Sequence, residues 1–213
     1  MGIFVGPDYE RPAANLTQQY RLTTPATVGH FLNIGFADPS IRPVYRGCKV
    51  VGPAFTVRTD GMDIAGISKA YELVKPGDVL VVDTGGDRQH ACAGEVSTFK
   101  SIRLGIAGLI VDGAVTDTLE FEALGFPCFS RTVSALVGRR IGNHGAVRVP
   151  VQCGGVVVNP GDIVVADDNG IVFLSPAQAA ELLPTLLQKE ADEKAIREEF
   201  WEQKGQPVPV FYK

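Results

Sequence analysis

The sequence predicts an α/β protein on a mixed sheet, with helices packed against it and one long helix at its C-terminus. Three observations predict this. Apolar runs and helical spacings alternate β-α-β-α-β between residues 74 and 129. A Pro-Gly-Asp turn leading into an apolar run ending in aspartate occurs twice, at 76–83 and 160–167. Residues 176–204 read as helix throughout. Alternation of strand and helix is the pattern of a sheet covered by helices.

In chain order, residues 1–25 are polar and proline-punctuated and read as an N-terminal arm or short helix. Residues 50–59 alternate as a strand. Residues 63–73 place Ile64, Ile67, Ala70 and Tyr71 at helical spacing. The run 74–86 is a tight turn, a buried strand and the acid Asp83. Helix 94–104, strand 108–112, helix 118–124 and strand 126–129 follow. Beyond 142 the chain is strand-rich (146–152, 154–160, 161–175), with hairpin chemistry at Asp168-Asn169-Gly170. The repeated turn reads either as two related β units or as a favourable tight turn used twice. The helix 176–204 is amphipathic at first and then heavily charged, so its far half is expected to leave the core and dock on a neighbouring subunit.

The chain has 213 residues, enough for a single domain with one good core. Its net charge of −4 argues against a nucleic-acid surface, which needs a basic patch. Cys48, Cys92, Cys128 and Cys153 are far apart in sequence and form no C-x-x-C pair, so they read as reduced, buried thiols rather than zinc ligands. Nothing resembles a signal peptide or a membrane span, and a cytoplasmic protein is expected.

Acids gather at element ends in the middle of the chain: Asp83, Asp87, Glu95, Asp112 and Asp117. In open α/β sheets ligands bind beyond the carboxyl ends of the strands. Several carboxylates on one rim would make a hard-cation site; singly, each is as well explained as a turn former or helix cap. The loop 85–94 runs from a strand into a helix whose free N–H groups suit a carboxylate or phosphate. It matches neither nucleotide-binding glycine pattern. His90 in this loop reads either as an acid/base or as structural, and Lys100 as a surface residue.

The stretches PGDVLVVDTGGD (76–87), AGE (93–95), GIAGLIVDGAVTD (105–117), LGFPCFSR (124–131) and VQCGGVVVNPGDIVVADDNGIVFL (151–174) resemble one family. It includes the regulator of ribonuclease activity A and the class II 4-hydroxy-4-methyl-2-oxoglutarate aldolases. The resemblance implies a swivelling β/β/α fold like that of phosphohistidine domains, and a homotrimer or hexamer with sites between subunits. It implies a lyase that uses Mg²⁺ or Mn²⁺ to cleave a 4-hydroxy-2-oxo dicarboxylic acid to pyruvate, with oxaloacetate decarboxylation as a side activity. Asp117 inherits the metal-ligand role, Glu95 that of an acid orienting a metal-bound water, and Gly94, Glu95, Val96 and Ser97 that of receiving the substrate carboxylate. Glu193, or else Glu190, matches the acid supplied by the neighbouring subunit's C-terminal helix. One position departs: the family's arginine before the metal aspartate is Thr116, which offers no cationic fork. Either Arg88, Arg131 or Arg139 substitutes, or the substrate differs, or activity is lost. The alternative is a non-catalytic regulatory protein of the ribonuclease-regulator type. A third label given to such sequences, menaquinone methyltransferase, lacks the glycine-rich loop that S-adenosylmethionine binding would need.

Overall fold

The computed structural model describes residues 2–142 and 144–209. Among them the N-terminal elements are β1 (Phe4–Val5), α1 (Ala14–Tyr20), α2 (Pro25–Gly29) and β2 (Arg42–Pro43). The central layer follows with β3 (Val50–Arg58), α3 (Ala65–Ala70), β4 (Val79–Asp83), α4 (Glu95–Arg103), β5 (Gly108–Val115), α5 (Thr118–Ala123) and β6 (Cys128–Val133). The chain ends with β7 (Ala146–Val147), β8 (Val151–Cys153), β9 (Val156–Val158), β10 (Ile163–Asp167), β11 (Gly170–Leu174) and α6 (Pro176–Gln203).

The main sheet runs β1-β7-β3-β4-β5-β6-β2, with β3, β4, β5 and β6 parallel. β4 is buried at every residue, as its unbroken apolar run demands of a strand covered on both faces. Period-two alternation divides its side chains. Leu80 and Val82, with Leu109 and Val111 of β5, join the core under the helices beside Phe121 and Phe126. Val79 and Val81, with Ile110, face the β8–β9 hairpin through Val151, Cys153 and Val158. A third core packs β10 and β11 against α1, α2 and α6.

β3 serves two pairings. Its first half runs antiparallel to β10, and its second half parallel to β4. The two Pro-Gly-Asp turns share one geometry: Asp78 accepts from the Lys75 N–H and Asp162 from the Asn159 N–H, both at 2.8 Å. Gly77 and Gly161 both sit at φ 89°, a left-handed conformation that suits glycine. The repeat is therefore conserved as a turn, and it delivers one strand parallel to β3 and the other antiparallel.

Three boundaries differ from the sequence reading. β5 continues through Val115, so Asp112 lies within the strand rather than at its end. β6 extends to Val133. The segment 1–25 holds a short strand and a helix, and Tyr20 anchors it by donating from its fully buried hydroxyl to the Ala179 carbonyl at 3.0 Å. α6 begins at a capping box, Ser175 with Gln178, and Pro176 takes the first helical position, where no N–H is missed. Its buried residues are Ala179, Leu183 and Leu186; nothing beyond Leu186 is buried, as expected of the charged half. Among the described residues no helix is long and apolar enough to cross a membrane.

Candidate functional site

β5 must turn sharply after Val115 to begin α5 at Thr118, and Asp117 makes the turn in the left-handed conformation, φ 53° and ψ 51°. Aspartate tolerates this region better than most residues, at a cost of about 1–3 kcal/mol. The turn lays its carboxylate on the start of α4: Oδ2 accepts from the Glu95 N–H at 2.8 Å, and Oδ1 from the Thr116 hydroxyl at 3.1 Å. Gly94 permits the approach, since a Cβ there would lie 2.3 Å from Asp117 Oδ2 and 2.8 Å from Thr116 Cγ2. Ser97 closes the turn from the other side, accepting from the Gly94 N–H at 2.8 Å and donating to the Gly94 carbonyl at 2.7 Å. Among the described residues the N–H groups of Val96 and Ser97 have no acceptor. Of the four N–H groups from Gly94 to Ser97, Asp117 thus takes one and Ser97 Oγ another.

The loop before α4 is held in place by β5. The Cys92 N–H donates to the Ala114 carbonyl at 3.0 Å, and the Thr116 N–H to the Ala93 carbonyl at 2.9 Å. The Thr84 hydroxyl lies 2.6 Å from the Asp87 carbonyl and 2.8 Å from that of Asp112. Asp87 binds His90 Nδ1 at 2.6 Å and accepts from the Gln89 and His90 N–H groups. Burial alone would raise the Asp87 pKa, but these donors hold it below the ordinary carboxylate range. His90 thus has a structural partner within its own loop.

The five acids do not converge on one rim. Asp83 and Asp112 are register partners on adjacent strands and face the hairpin: Asp83 accepts from the Gln152 N–H at 3.2 Å, Asp112 from the Gly154 N–H at 2.7 Å. Asp117 meets α4 on the helix face. Among the described residues no group of three or more acids, histidines or cysteines assembles. The expectation of a many-carboxylate cation site within one chain is therefore corrected: Asp83 and Asp112 point from their strands to the hairpin face, and the left-handed turn after β5 carries Asp117 to α4.

On the hairpin face Asp83 and Asp112 line a cleft of about 300 Å³ with Gly85, Gly86 and Gln152. Its walls are Arg58, Arg88 and Arg131. Arg131, expected as a substitute cation for position 116, is committed to Asp112 through Nε, to Ser40, and to Asp38 at 3.6 Å. Arg58 was not singled out in the sequence, where it reads only as the end of β3; it stands 3.5 Å from Asp83. Arg139 is exposed, its backbone bonded to Met62 and Ile64, and makes no ion pair among the described residues.

Glu190 and Glu193 lie on the half of α6 that leaves the core. Glu190 accepts from the Thr27 hydroxyl, and Glu193 lies 3.1 Å from Lys189, 3.6 Å from Arg197 and 3.8 Å from His30. Neither approaches Asp117 through contacts within this chain. Lys100 is exposed, its Nζ 4.6 Å above the Tyr71 ring, as a surface residue would be. All four cysteines are buried free thiols, as expected.

The donor set at Asp117 fits a hard divalent cation of the Mg²⁺ type. A carboxylate bonded to one N–H and one hydroxyl keeps lone pairs to spare, and such ions bind through one or two carboxylates with water completing the shell. The exposed Glu95 stands at the same helix start.

The family model described as RraA-like, Aldolase/RraA, matches residues 26–173. This chain belongs to the RraA-like family. A Halalkalibacterium halodurans relative, provisionally named a 4-hydroxy-4-methyl-2-oxoglutarate aldolase, is 38% identical over 73% of this chain and 74% of its own. Among solved structures, an uncharacterized Pseudomonas syringae pv. tomato protein superposes with TM-score 0.79 at 25% identity, covering 95% of each chain. Streptomyces coelicolor RraAS2, titled an unusual member of the RNase ES inhibitor RraA protein family, superposes with TM-score 0.76 at 29% identity. It is covered completely and accounts for 89% of this chain. The RraA-like match includes Asp117, the loop before α4 and the cleft arginines, but not α6.

Proposed function

We propose that this RraA-like protein is a divalent-metal-dependent lyase that cleaves a 4-hydroxy-2-oxo dicarboxylic acid to pyruvate. The observation that carries this is Asp117: a non-glycine residue held left-handed, its carboxylate turned onto a helix N-terminus that still has two free N–H groups. Strained backbone at such a point is a recurrent feature of active sites. The layering, with hairpins on one sheet face and helices on the other, supports assigning a swivelling β/β/α fold of the phosphohistidine-domain kind.

In this reading the Val96 and Ser97 N–H groups, at the positive end of α4, receive the substrate's C1 carboxylate. Asp117 would hold the divalent metal beside this helix start. A bound Mg²⁺ or Mn²⁺ supplies Lewis-acid stabilisation of the charge that builds on the keto oxygen as the C–C bond breaks. Glu95 takes the C4 hydroxyl proton through a water, and solvent returns a proton to C3 of the pyruvate enolate. Thr116 hydrogen-bonds Asp117 and provides no positive charge. With Arg131 committed and Arg88 in the cleft on the other face, Arg139 is the cation left to compensate. In a homotrimer or hexamer, Glu193 on the projecting half of α6 is assigned to a neighbouring copy's site.

The test is pyruvate release from 4-hydroxy-4-methyl-2-oxoglutarate and from oxaloacetate with Mg²⁺ or Mn²⁺, repeated with chelator. Metal-dependent turnover that disappears in Asp117→Ala is the expected result; no metal-dependent turnover of either acid would overturn the reading. The second reading, a non-catalytic regulator that binds another protein, draws on the cap that Asp117 makes for α4 and on the likeness to RraAS2. In that case chelator and Asp117→Ala would leave partner binding unchanged.

A further inference from the structure

The arginine-walled cleft between β4, β5 and the β8–β9 hairpin is not used by the lyase reading, because it opens on the face of the sheet opposite to α4. Its charges are unequally satisfied. Asp112 is neutralised where it stands by Arg131 and the Gly154 N–H. Asp83 takes the Gly85 N–H at 2.8 Å and the Gln152 N–H at 3.2 Å, with Arg58 at 3.5 Å. The Arg58 side chain remains 57% exposed, so most of its fork is still available to a ligand. Arg88 is exposed and makes no ion pair among the described residues. Arg131 is held by Asp112 and Asp38, so where Arg58 and Arg88 face Asp83 alone one positive charge is in excess.

The floor of the cleft has room as well as charge. Gly85 and Gly86 are both left-handed, at φ 67° and 88°, and a Cβ on Gly86 would meet nothing within 4 Å. Among the described residues the Gly86 N–H has no acceptor. A volume near 300 Å³ holds a ligand of about ten heavy atoms or fewer, at roughly 30 Å³ for each water displaced.

We propose that this cleft is a second ligand site, taking a small monocarboxylate between Arg88 and the open side of Arg58. A guanidinium fork matches a planar carboxylate in two parallel hydrogen bonds. A single negative charge balances the single excess positive one, whereas a phosphate dianion would leave net negative charge above two aspartates. The site does not depend on Asp117 or on a metal, and so stands apart from the lyase reading.

The test is ligand-observed NMR with propionate on the intact chain in the presence of chelator, with inorganic phosphate as competitor. Propionate is expected to bind wild type and Asp117→Ala alike, and Arg88→Ala to weaken it about tenfold, the loss of one charged fork. Arg88→Lys keeps the charge without the fork and should recover only part of the affinity. Because Arg88 is exposed, neither change should alter the melting temperature, which is measured alongside. Affinity unchanged in Arg88→Ala, binding lost in Asp117→Ala, or phosphate displacing propionate at equal concentration would each overturn the proposal.

Discussion

At Gly94 a single hydrogen replaces a methyl group, and the Asp117 carboxylate occupies the space. Gly94→Ala puts a Cβ within 2.3 Å of Asp117 Oδ2 although the backbone, at φ −162°, is open to any residue. The aspartate must then move, and turnover is expected to fall at least about tenfold, because small displacements of catalytic groups are costly. Steady-state assay of pyruvate release checks this; unchanged kinetics would separate catalysis from the Asp117 geometry. Thr116→Arg is the converse experiment. If the missing cation limits the enolate-forming step, this variant raises kcat on 4-hydroxy-4-methyl-2-oxoglutarate. Asp63 makes a different residue-scale prediction. Its carboxylate accepts from the N–H groups of Ala65, Ile141, Gly142 and His144 and so ties α3 to the loop before β7. Burial by itself would raise its pKa, but these four donors hold it below the ordinary range. A lowered pKa in the folded state means that its stabilisation is present above the unfolded value, about 4, and fades as pH falls through the folded one. Asp63→Asn should cost about 1.5–3 kcal/mol at pH 7 and much less at pH 2–3, measured by denaturant titration at both. The sequence showed Asp63 only as a helix start; its partners 78 and more residues away could not be read there.

At the scale of elements, α6 is two helices in one. Leu186 is fully buried against β10 and β11, so Leu186→Ala should destabilise the fold by about 2–5 kcal/mol in urea. Ile196, 65% exposed on the far half, should change stability by less than about 0.5 kcal/mol when replaced by alanine. That far half holds itself with same-helix pairs such as Lys189–Glu193, each contributing about 0.3–0.5 kcal/mol. Its charge pattern was legible as a helix leaving the core. The long buried strands were also legible, because an unbroken apolar run bounded by a Pro-Gly-Asp turn has few other homes. The short β1, β2 and α2 were not, and α1 only as an alternative to an arm, since their order comes from contacts with β7, β6, β3, β11 and α6 rather than from any periodicity of their own.

Across the whole molecule the thiols report on how completely the layers close. Burial pushes Cys92 up to about 12, and Cys128 and Cys153 well above their ordinary value. In the folded protein at pH 8 these three should therefore resist a thiolate-specific reagent, and react only at the rate of global or local opening. Stopped-flow labelling with and without urea measures this; fast stoichiometric reaction of all four under native conditions would contradict the packing. The same layering decides the chemistry. Sequence reading placed Asp83, Asp112 and Asp117 on one rim, whereas the sheet turns Asp83 and Asp112 to the hairpin and the turn after β5 lays Asp117 on α4.

The sequence by itself determined the α/β class, the central strands, the family and the candidacy of Asp117, because these depend on local apolar period, turn chemistry and ordered motifs. Only the tertiary structure decided that Asp117 caps α4, that Arg131 is committed to Asp112, and that Arg58 joins Arg88 across a cleft. The reason is geometric. A parallel sheet turns successive side chains to opposite faces and brings loops from distant parts of the chain to a common edge, so which charges meet depends on register and crossover rather than on spacing along the chain.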